Sequence, residues 1–139
     1  MRCAKIILSL FITAAACLLL ALSPARLCFG EGKSYTFYCG SNSSDCKIIT
    51  VNGNAALYRL ALKNVCGEST TYAALDITEF LSSLNGKIIF TEELTDSVNY
   101  YCTADLPYKV TLYNAQINLH VCVKQTCVTV ASPIIFGGY

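Results

Sequence analysis

The sequence contains one histidine, His120, so any histidine-based proton transfer or metal binding by this chain must use that residue. A nucleophilic cysteine needs a base within hydrogen-bond reach of its thiol, and Cys66 and Cys102 are the candidates for that thiol. Because side chains alternate along a strand, His120 is predicted to share a face with Asn118 and Cys122. We expect a half-exposed histidine on the outer face of a sheet. A thiol enzyme that pairs His120 with a cysteine is the alternative.

The cysteines that follow the N-terminal segment favour disulfides over a metal site. Their even number fits a disulfide framework in an exported protein. Cys122 and Cys127 flank a short turn, as Cys39 and Cys46 flank a loop, and their spacing is too loose for a zinc knuckle with a single histidine. No metal, cofactor or catalytic residue is predicted, and the pairing stays open. The candidate disulfide cysteines are Cys39, Cys46, Cys66, Cys102, Cys122 and Cys127.

Carboxylates and tyrosines can carry a function only where the fold places them in a cleft. Paired carboxylates hydrolyse glycosides at a fixed separation, but Glu92, Glu93, Asp96 and Asp105 cluster around turns and are interpreted as solvated loop charges. The chain has nine tyrosines, and alternation must place some of them on the sheet face away from a helix. Tyrosine is common at interfaces. The candidate binding face consists of Tyr101, Tyr113, Asn118 and His120.

The N-terminal segment has the pattern of an export signal. Two basic residues precede an apolar run over residues 6–22, and a Ser-Pro pair ends that run. Such a run is long for a signal peptide and short for a membrane span. We predict a signal peptide over residues 1–30, cleaved after Ala25 or near Gly30, with an uncleaved N-terminal anchor as the alternative. The remainder would be secreted or extracytoplasmic, and it would meet the membrane only through this segment if the segment stays uncleaved.

The charge of the chain excludes nucleic acid as a partner. The formal net charge is +1, but from Glu31 onward seven Lys/Arg stand against nine Asp/Glu, which leaves this part of the chain at −2. Binding to nucleic acid depends on lysines and arginines that neutralise phosphates, and no basic run is present. The length fits one domain over residues 31–139, with a modest core.

The elements that must position these side chains are mostly short strands. Connections this short require antiparallel neighbours. Asn52-Gly53 predicts a hairpin turn, so residues 55–65 are interpreted as a returning strand, with a helix (apolar Leu57, Leu60, Ala61 and Val65 on one face) as the alternative. Residues 66–71 are interpreted as a polar break, and Pro133 places the last strand at an edge or bends it. Strands are predicted over 34–39, 47–51, 87–90, 98–103, 108–113, 117–123 and 127–136.

One helix is clearly marked, at about residues 76–85. Asp76 is a favourable N-cap with a glutamate three residues on, and Gly86 suits the left-handed conformation that ends a helix. A single helix with one apolar face, together with several antiparallel strands, predicts a two-layer α+β domain with the helix packed on one face of the sheet. The apolar residues that recur at helical spacing are Ile77, Phe80, Leu81 and Leu84.

Part of the chain resembles a known family. Ile-Asn-Leu at 117–119, the segment TVASPII at 129–135 and a terminal Tyr139 are similar to the C-terminal end of the YwmB-like exported proteins. Tyr-Cys-Thr-Ala-Asp-Leu at 101–106 is similar to the segment before their last hairpin. The resemblance covers residues 75–139. It implies a fold like that of the TATA-box-binding protein, with a curved antiparallel sheet and helices on one face, and a spore-forming Gram-positive bacterial source. It implies no biochemical activity.

The first hypothesis is therefore an exported, non-catalytic binding or structural protein at the cell envelope. Its partner would be an envelope protein or a glycan held on the open face of the sheet. The second hypothesis is a thiol-based enzyme or redox protein that uses a Cys/His pair. A count of free thiols on the purified protein discriminates between the two.

Overall fold

A computed structural model of the chain describes residues 2–21, 26–41 and 45–136. The predicted cleavage position after Ala25 and the terminal Tyr139 lie outside these ranges. The helices are α1 (Arg2–Ala21), α2 (Ala55–Ala61) and α3 (Ile77–Ser83). The strands are β1 (Ser34–Cys39), β2 (Lys47–Val51), β3 (Val65–Tyr72), β4 (Lys87–Glu93), β5 (Ser97–Thr103), β6 (Val110–Leu112), β7 (Ala115–Ile117), β8 (Leu119–Lys124) and β9 (Val128–Ser132).

Seven strands form one open sheet in the order β2-β1-β3-β9-β8-β5-β4, and β6 and β7 form a separate hairpin. Every recorded strand pair is antiparallel. The short connections β1–β2, β4–β5 and β8–β9 require antiparallel neighbours. The predicted α+β class, with an antiparallel sheet and a principal helix on one face, is confirmed.

One face of the sheet, called the inner face below, is covered by α3. Residues directly opposite one another on neighbouring strands share a face. The apolar stripe predicted for α3 packs here: Leu81 is buried and the other stripe residues are partly buried. The inner face includes one row across four strands, formed by Tyr35, Thr70, Val130 and Val121.

The ends of α3 follow the predicted capping pattern with one difference. Asp76 is the N-cap, and its side chain accepts the backbone N–H of Glu79 at 3.0 Å. At the other end the N–H of Gly86 donates to the carbonyl of Leu81 at 2.7 Å. The left-handed residue, however, is Asn85, with φ of 50°. Gly86 is needed for space instead, because a Cβ there would lie 3.0 Å from the backbone carbonyl oxygen of Leu81.

The strand interpretation of residues 55–65 is wrong, because residues 55–61 form α2. Both edges of β1 are already paired, with β2 and with β3, so the segment covers the inner face instead. The turn at residues 52–53 therefore leads into a helix. The buried side of α2 consists of its first residue and Arg59, while Leu57 from the predicted helical stripe is exposed. The pattern of apolar residues could not predict this packing, because the residue buried against the core is an arginine.

The polar break predicted at residues 66–71 is also wrong, because this segment belongs to β3, near the middle of the sheet. Its polar side chains have partners inside the domain. The Ser69 hydroxyl lies 3.1 Å from the hydroxyl of Tyr38, and the Thr70 hydroxyl donates to the carbonyl of Ser34 at 2.7 Å. A buried polar group is tolerated when it is hydrogen-bonded, so polarity alone mispredicted an exposed loop.

The last two predicted strands are interrupted or shortened. Asn118 separates β7 from β8 because its side chain holds the loop after β5. The side-chain oxygen of Asn118 accepts the N–H of Ala104 at 2.6 Å. The side-chain nitrogen donates to the carbonyl of Ala104 at 2.6 Å and to the carbonyl of Leu106 at 3.2 Å. β9 ends at Ser132, before Pro133. It lies between β3 and β8, so the proline ends a central strand and does not mark an edge.

The segment before β1, residues 27–32, lies on the inner face between the two packed helices. Phe29 is 3% exposed within the core beneath α3, and Leu27 packs on the cluster beneath α2. Glu68 of β3 holds the segment, since its Oε1 accepts the N–H of Cys28 at 3.0 Å and of Phe29 at 3.3 Å. The Glu68 side chain is fully buried. Burial raises the pKa of its carboxyl, and the two backbone hydrogen bonds oppose that effect.

Helix α1 contains most of the predicted export segment. Its side chains over residues 5–19 are exposed. No helix within the described ranges is long and apolar enough to cross a membrane. The signal peptide and the anchor both stay predictions.

We expect Glu68→Ala to lower the free energy of unfolding by about 2–3 kcal/mol, because it leaves buried N–H groups without an acceptor and opens a cavity. Urea unfolding of the full chain at pH 7 measures this. Glu68→Gln keeps an acceptor of the same shape and should cost less. Equal losses in the two variants would show that the hydrogen bonds do not hold the segment.

The raised pKa of Glu68 should also make stability depend on pH. The folded state keeps a proton that the unfolded state has released. The contribution of Glu68 is therefore fully present below the ordinary pKa of a glutamate and is lost as the pH rises through the raised value. Unfolding curves across this range should show the loss in wild type and not in Glu68→Gln. A pH-independent difference between the two proteins would contradict the assignment.

Candidate functional site

The candidate site is a groove of about 470 Å³ on the outer face of the sheet, opposite the packed helices. Its walls come from elements distant in sequence, since β4, β5 and β8 form its base while the β6–β7 hairpin and the segment after β9 flank it. This volume lies in the range of small-ligand pockets. The lining residues are Phe90, Thr91, Glu92, Tyr101, Leu112, Tyr113, His120, Ile134 and Ile135.

Three rings from adjacent strands stack along the groove. Phe90 lies opposite Tyr101, and Tyr101 lies opposite His120. The Phe90 and Tyr101 ring centroids are 4.4 Å apart with an interplanar angle of 18°. Those of Tyr101 and His120 are 4.4 Å apart at 19°. Offset stacking of this kind stabilises aromatic pairs beyond their burial.

Phe90 reaches the outer face because of a β-bulge. The register of β4 against β5 shifts by one residue between Ile88, opposite Cys102, and Phe90, opposite Tyr101. One extra residue in a strand moves every later side chain to the other face. Strict alternation along residues 87–90 does not reveal this shift, so Phe90 could not be predicted as a groove residue.

His120 is a buried, neutral member of the groove, not the half-exposed residue that was predicted. It is 2% exposed. Its Nδ1 accepts the backbone N–H of Ile135 at 3.2 Å, so Nε2 carries the proton and donates to Asn99 Oδ1 at 3.0 Å. Burial lowers the pKa of His120 to about 4. The imidazole is therefore uncharged near neutral pH, and both ring nitrogens are engaged.

The Cys/His pair required by the thiol-enzyme hypothesis is not assembled. Cys102 lies in the core beneath α3, on the inner face, whereas His120 faces the opposite side of the sheet. Burial raises the pKa of Cys102 to about 11 and also raises the pKa of Cys66. A nucleophilic cysteine needs a lowered pKa and a base beside it. Cys122 shares the face of His120, as predicted, but it is buried and burial raises its pKa as well.

Of the two remaining residues of the predicted binding face, Tyr113 lines the groove and Asn118 does not. Asn118 is buried in the loop described above and does not line the groove. Tyr113 lines the groove and is 88% exposed as a residue, and its ring meets the ring of Phe90 edge-on, with centroids 5.7 Å apart at 75°.

Tyr113 also has an unusual backbone. It forms the two-residue turn of the β6–β7 hairpin with Asn114, and their φ angles are 48° and 64°. Two positive φ angles define the type I′ turn, in which Asn and Gly are preferred. A bulky residue in this left-handed conformation is strained by about 1–2 kcal/mol. Strain kept at an exposed aromatic side chain indicates a functional position.

Glu92 supplies the negative charge of the groove. It was interpreted as a turn residue together with Glu93, but both belong to β4. The Tyr101 hydroxyl donates to Glu92 Oε2 at 3.2 Å. No lysine or arginine is among the described residues that line the groove. The groove therefore disfavours anionic ligands and offers a carboxylate to hydroxyl or amino groups.

The cysteines with described side chains carry free thiols, so the predicted disulfide framework stays a prediction; they are Cys17, Cys28, Cys39, Cys46, Cys66, Cys102, Cys122 and Cys127. Cys102 and Cys122 face opposite sides of the sheet, which opposes a bridge between them. In the same ranges no cluster of three or more His, Cys, Asp or Glu residues is arranged to hold a metal ion.

The fold and the groove together describe a small α+β domain with an aromatic groove on the open face of its sheet. Comparisons with protein-family models, with curated proteins and with solved structures find no match to this chain. The resemblance to the YwmB-like exported proteins stays a prediction.

We expect the His120 ring to titrate with a pKa of about 4. Because the chain has one histidine, its ring C–H signals in a proton NMR titration of the full chain need no assignment by mutation. The unfolded histidine takes up a proton before the folded one does, so stability should fall by up to about 3 kcal/mol as the pH drops from about 6.5 to about 4. His120→Gln should lack this fall. A midpoint near 6.5 in the folded protein would contradict the buried, neutral assignment.

Proposed function

We propose that this protein is a non-catalytic binding domain at the cell envelope that holds an uncharged or amino-bearing glycan in the groove. The observation that carries the proposal is Tyr113, a residue that is 88% exposed on a left-handed backbone beside the stacked rings of the groove. Such a residue weakens the turn that it occupies. A ligand that stacks on its ring gives a reason for its presence there.

The chemistry of the groove matches a sugar. A pyranose ring has an apolar C–H face that packs on an aromatic ring, and hydroxyls at its edge that need hydrogen-bond partners. Tyr113 offers the ring, while the paired Glu92 carboxylate and Tyr101 hydroxyl offer acceptor and donor atoms. Pockets that bind small ligands combine apolar walls with a few polar groups in this way.

The location at the envelope depends on the predicted export segment, and the bacterial source depends on the YwmB-like resemblance. Both belong to this proposal. The net charge of −2 from Glu31 onward and the absence of basic lining residues support a partner other than nucleic acid. A thiol-based enzyme is the alternative from another class, and the separation of Cys102 from His120 on opposite faces opposes it.

The proposal is tested by binding of the purified full chain to an array of immobilised oligosaccharides, followed by calorimetric titration of the best binder. Tyr113→Ala should weaken binding about tenfold, because one stacking contact is worth about 1 kcal/mol or slightly more. Tyr58→Ala is the matched control, since Tyr58 is 51% exposed on α2 and is not a groove residue. Equal binding by the two variants would remove the groove from the proposal. Failure to bind any oligosaccharide would reject the glycan as ligand.

Tyr113→Asn separates binding from stability. Asparagine suits a type I′ turn, so this variant should raise the free energy of unfolding by about 1 kcal/mol while it weakens glycan binding. Urea unfolding and the same calorimetric titration provide the two values. A variant that loses both stability and binding would show that Tyr113 supports the fold, in contradiction to the proposal.

A further inference from the structure

Three thiols meet at one end of β1, far from the groove. Cys39, the last residue of β1, lies opposite Lys47 on β2 and opposite Val65 on β3. The residue before Lys47 and the residue after Val65 are both cysteines, Cys46 and Cys66. The sheet register therefore places one thiol on each side of Cys39.

Gly40 allows the two outer cysteines to approach each other across the end of β1. A Cβ at Gly40 would lie 2.9 Å from Cys46 Cα and 3.0 Å from the carbonyl oxygen of Asp45. The backbone of Cys46 thus crosses directly over the glycine. The N–H of Gly40 donates to the carbonyl of Asn64 at 2.9 Å, which holds this crossing against the start of β3.

Cys46 and Cys66 are therefore neighbours across the end of β1. Burial raises the pKa of the Cys66 thiol and the neighbouring Cys46 thiol raises it further, and the thiol of Cys66 donates to the carbonyl oxygen of Tyr38 at 3.3 Å. Cys66 is exposed and Cys46 is half-buried, whereas Cys39 is buried. An oxidant in solution can therefore reach the outer pair and not the third thiol.

We propose that Cys46 and Cys66 form a disulfide when the protein meets a small-molecule disulfide, and that Cys39 stays reduced. The small fraction of Cys66 that has lost its thiol proton to solvent attacks one sulfur of the oxidant, the S–S bond of the oxidant breaks to release a thiol, and a mixed disulfide remains on the protein. Cys46 then displaces the second half of the oxidant. Two protein thiols are oxidised and one disulfide is reduced to two thiols, so protons and electrons balance.

This cross-link would close β2 and α2 into one loop. Residues 46 and 66 enclose both elements, and β2 is an edge strand that is paired only with β1 among the described residues. A bridge of this kind restricts the unfolded chain most when it closes a long segment. The thiol pair is thus a modification site that sets the stability of the free edge of the sheet, independently of the groove.

The pairing is tested by incubating the full chain with glutathione disulfide, alkylating the remaining thiols and mapping peptides by mass spectrometry. Trypsin alone leaves Cys39 and Cys46 on one peptide, but additional cleavage before aspartate at Asp45 separates them. The expected product joins peptide 45–47 to peptide 64–75 and is lighter than the sum of the two by two hydrogen atoms. A product that joins Cys39 to either neighbour, or no cross-linked product, would overturn the proposal.

Serine variants provide the second readout. Oxidised wild type should unfold at a higher urea concentration than reduced wild type. Cys46→Ser and Cys66→Ser should each abolish that shift, and Cys127→Ser, at a half-buried thiol elsewhere, should keep it. A shift that survives in Cys66→Ser would assign the stabilisation to another pair of cysteines and reject this one.

Discussion

The buried carboxylate of Glu68 is the interaction on which the inner layer of this domain depends. It stands in a central strand, holds the N–H groups of Cys28 and Phe29, and so brings residues 27–32 between the two packed helices. Arg59 of α2 lies within electrostatic range of this carboxylate and donates to the Tyr108 hydroxyl at 2.8 Å. Glu68 therefore holds the chain before β1, and Arg59 beside it links α2 to the loop before β6. Because these contacts all lie on one face, the other face stays open.

The sequence predicted the elements whose pattern is local. β1, β2 and α3 were found because alternation and capping are properties of neighbouring residues. β3 and α2 were missed because Glu68, Ser69 and Arg59 are buried by partners far along the chain. In the candidate site, Tyr101 and Tyr113 were predicted from the sequence. Phe90 was not, because its position depends on a bulge in β4, and the burial of His120 was not, because it depends on residues after β9. These features are determined by contacts between residues far apart in the chain, and patterns of neighbouring residues do not record such contacts.

Five of the six candidate disulfide cysteines fall into two groups once the fold is known. Cys102 and Cys122 are buried on opposite faces of the sheet and act as small apolar side chains, as buried cysteines commonly do. Cys39, Cys46 and Cys66 gather at one end of β1, beside the edge strand. The even number of cysteines in the sequence gives no means of distinguishing these two groups. The structure separates the packing thiols from the cluster that contains the exposed Cys66 and the half-buried Cys46.

The segment after β9 gives the groove a rigid wall. The backbone N–H of Ile135 donates to His120, and one residue later the N–H of Phe136 donates to the hydroxyl of Tyr38 on β1 at 3.3 Å. The rings of Phe136 and Tyr38 also meet edge-on with centroids 4.5 Å apart. The wall is thus anchored at two points on different strands. A ligand would meet a preorganised surface, so little of its binding free energy would be lost to ordering the chain that it contacts.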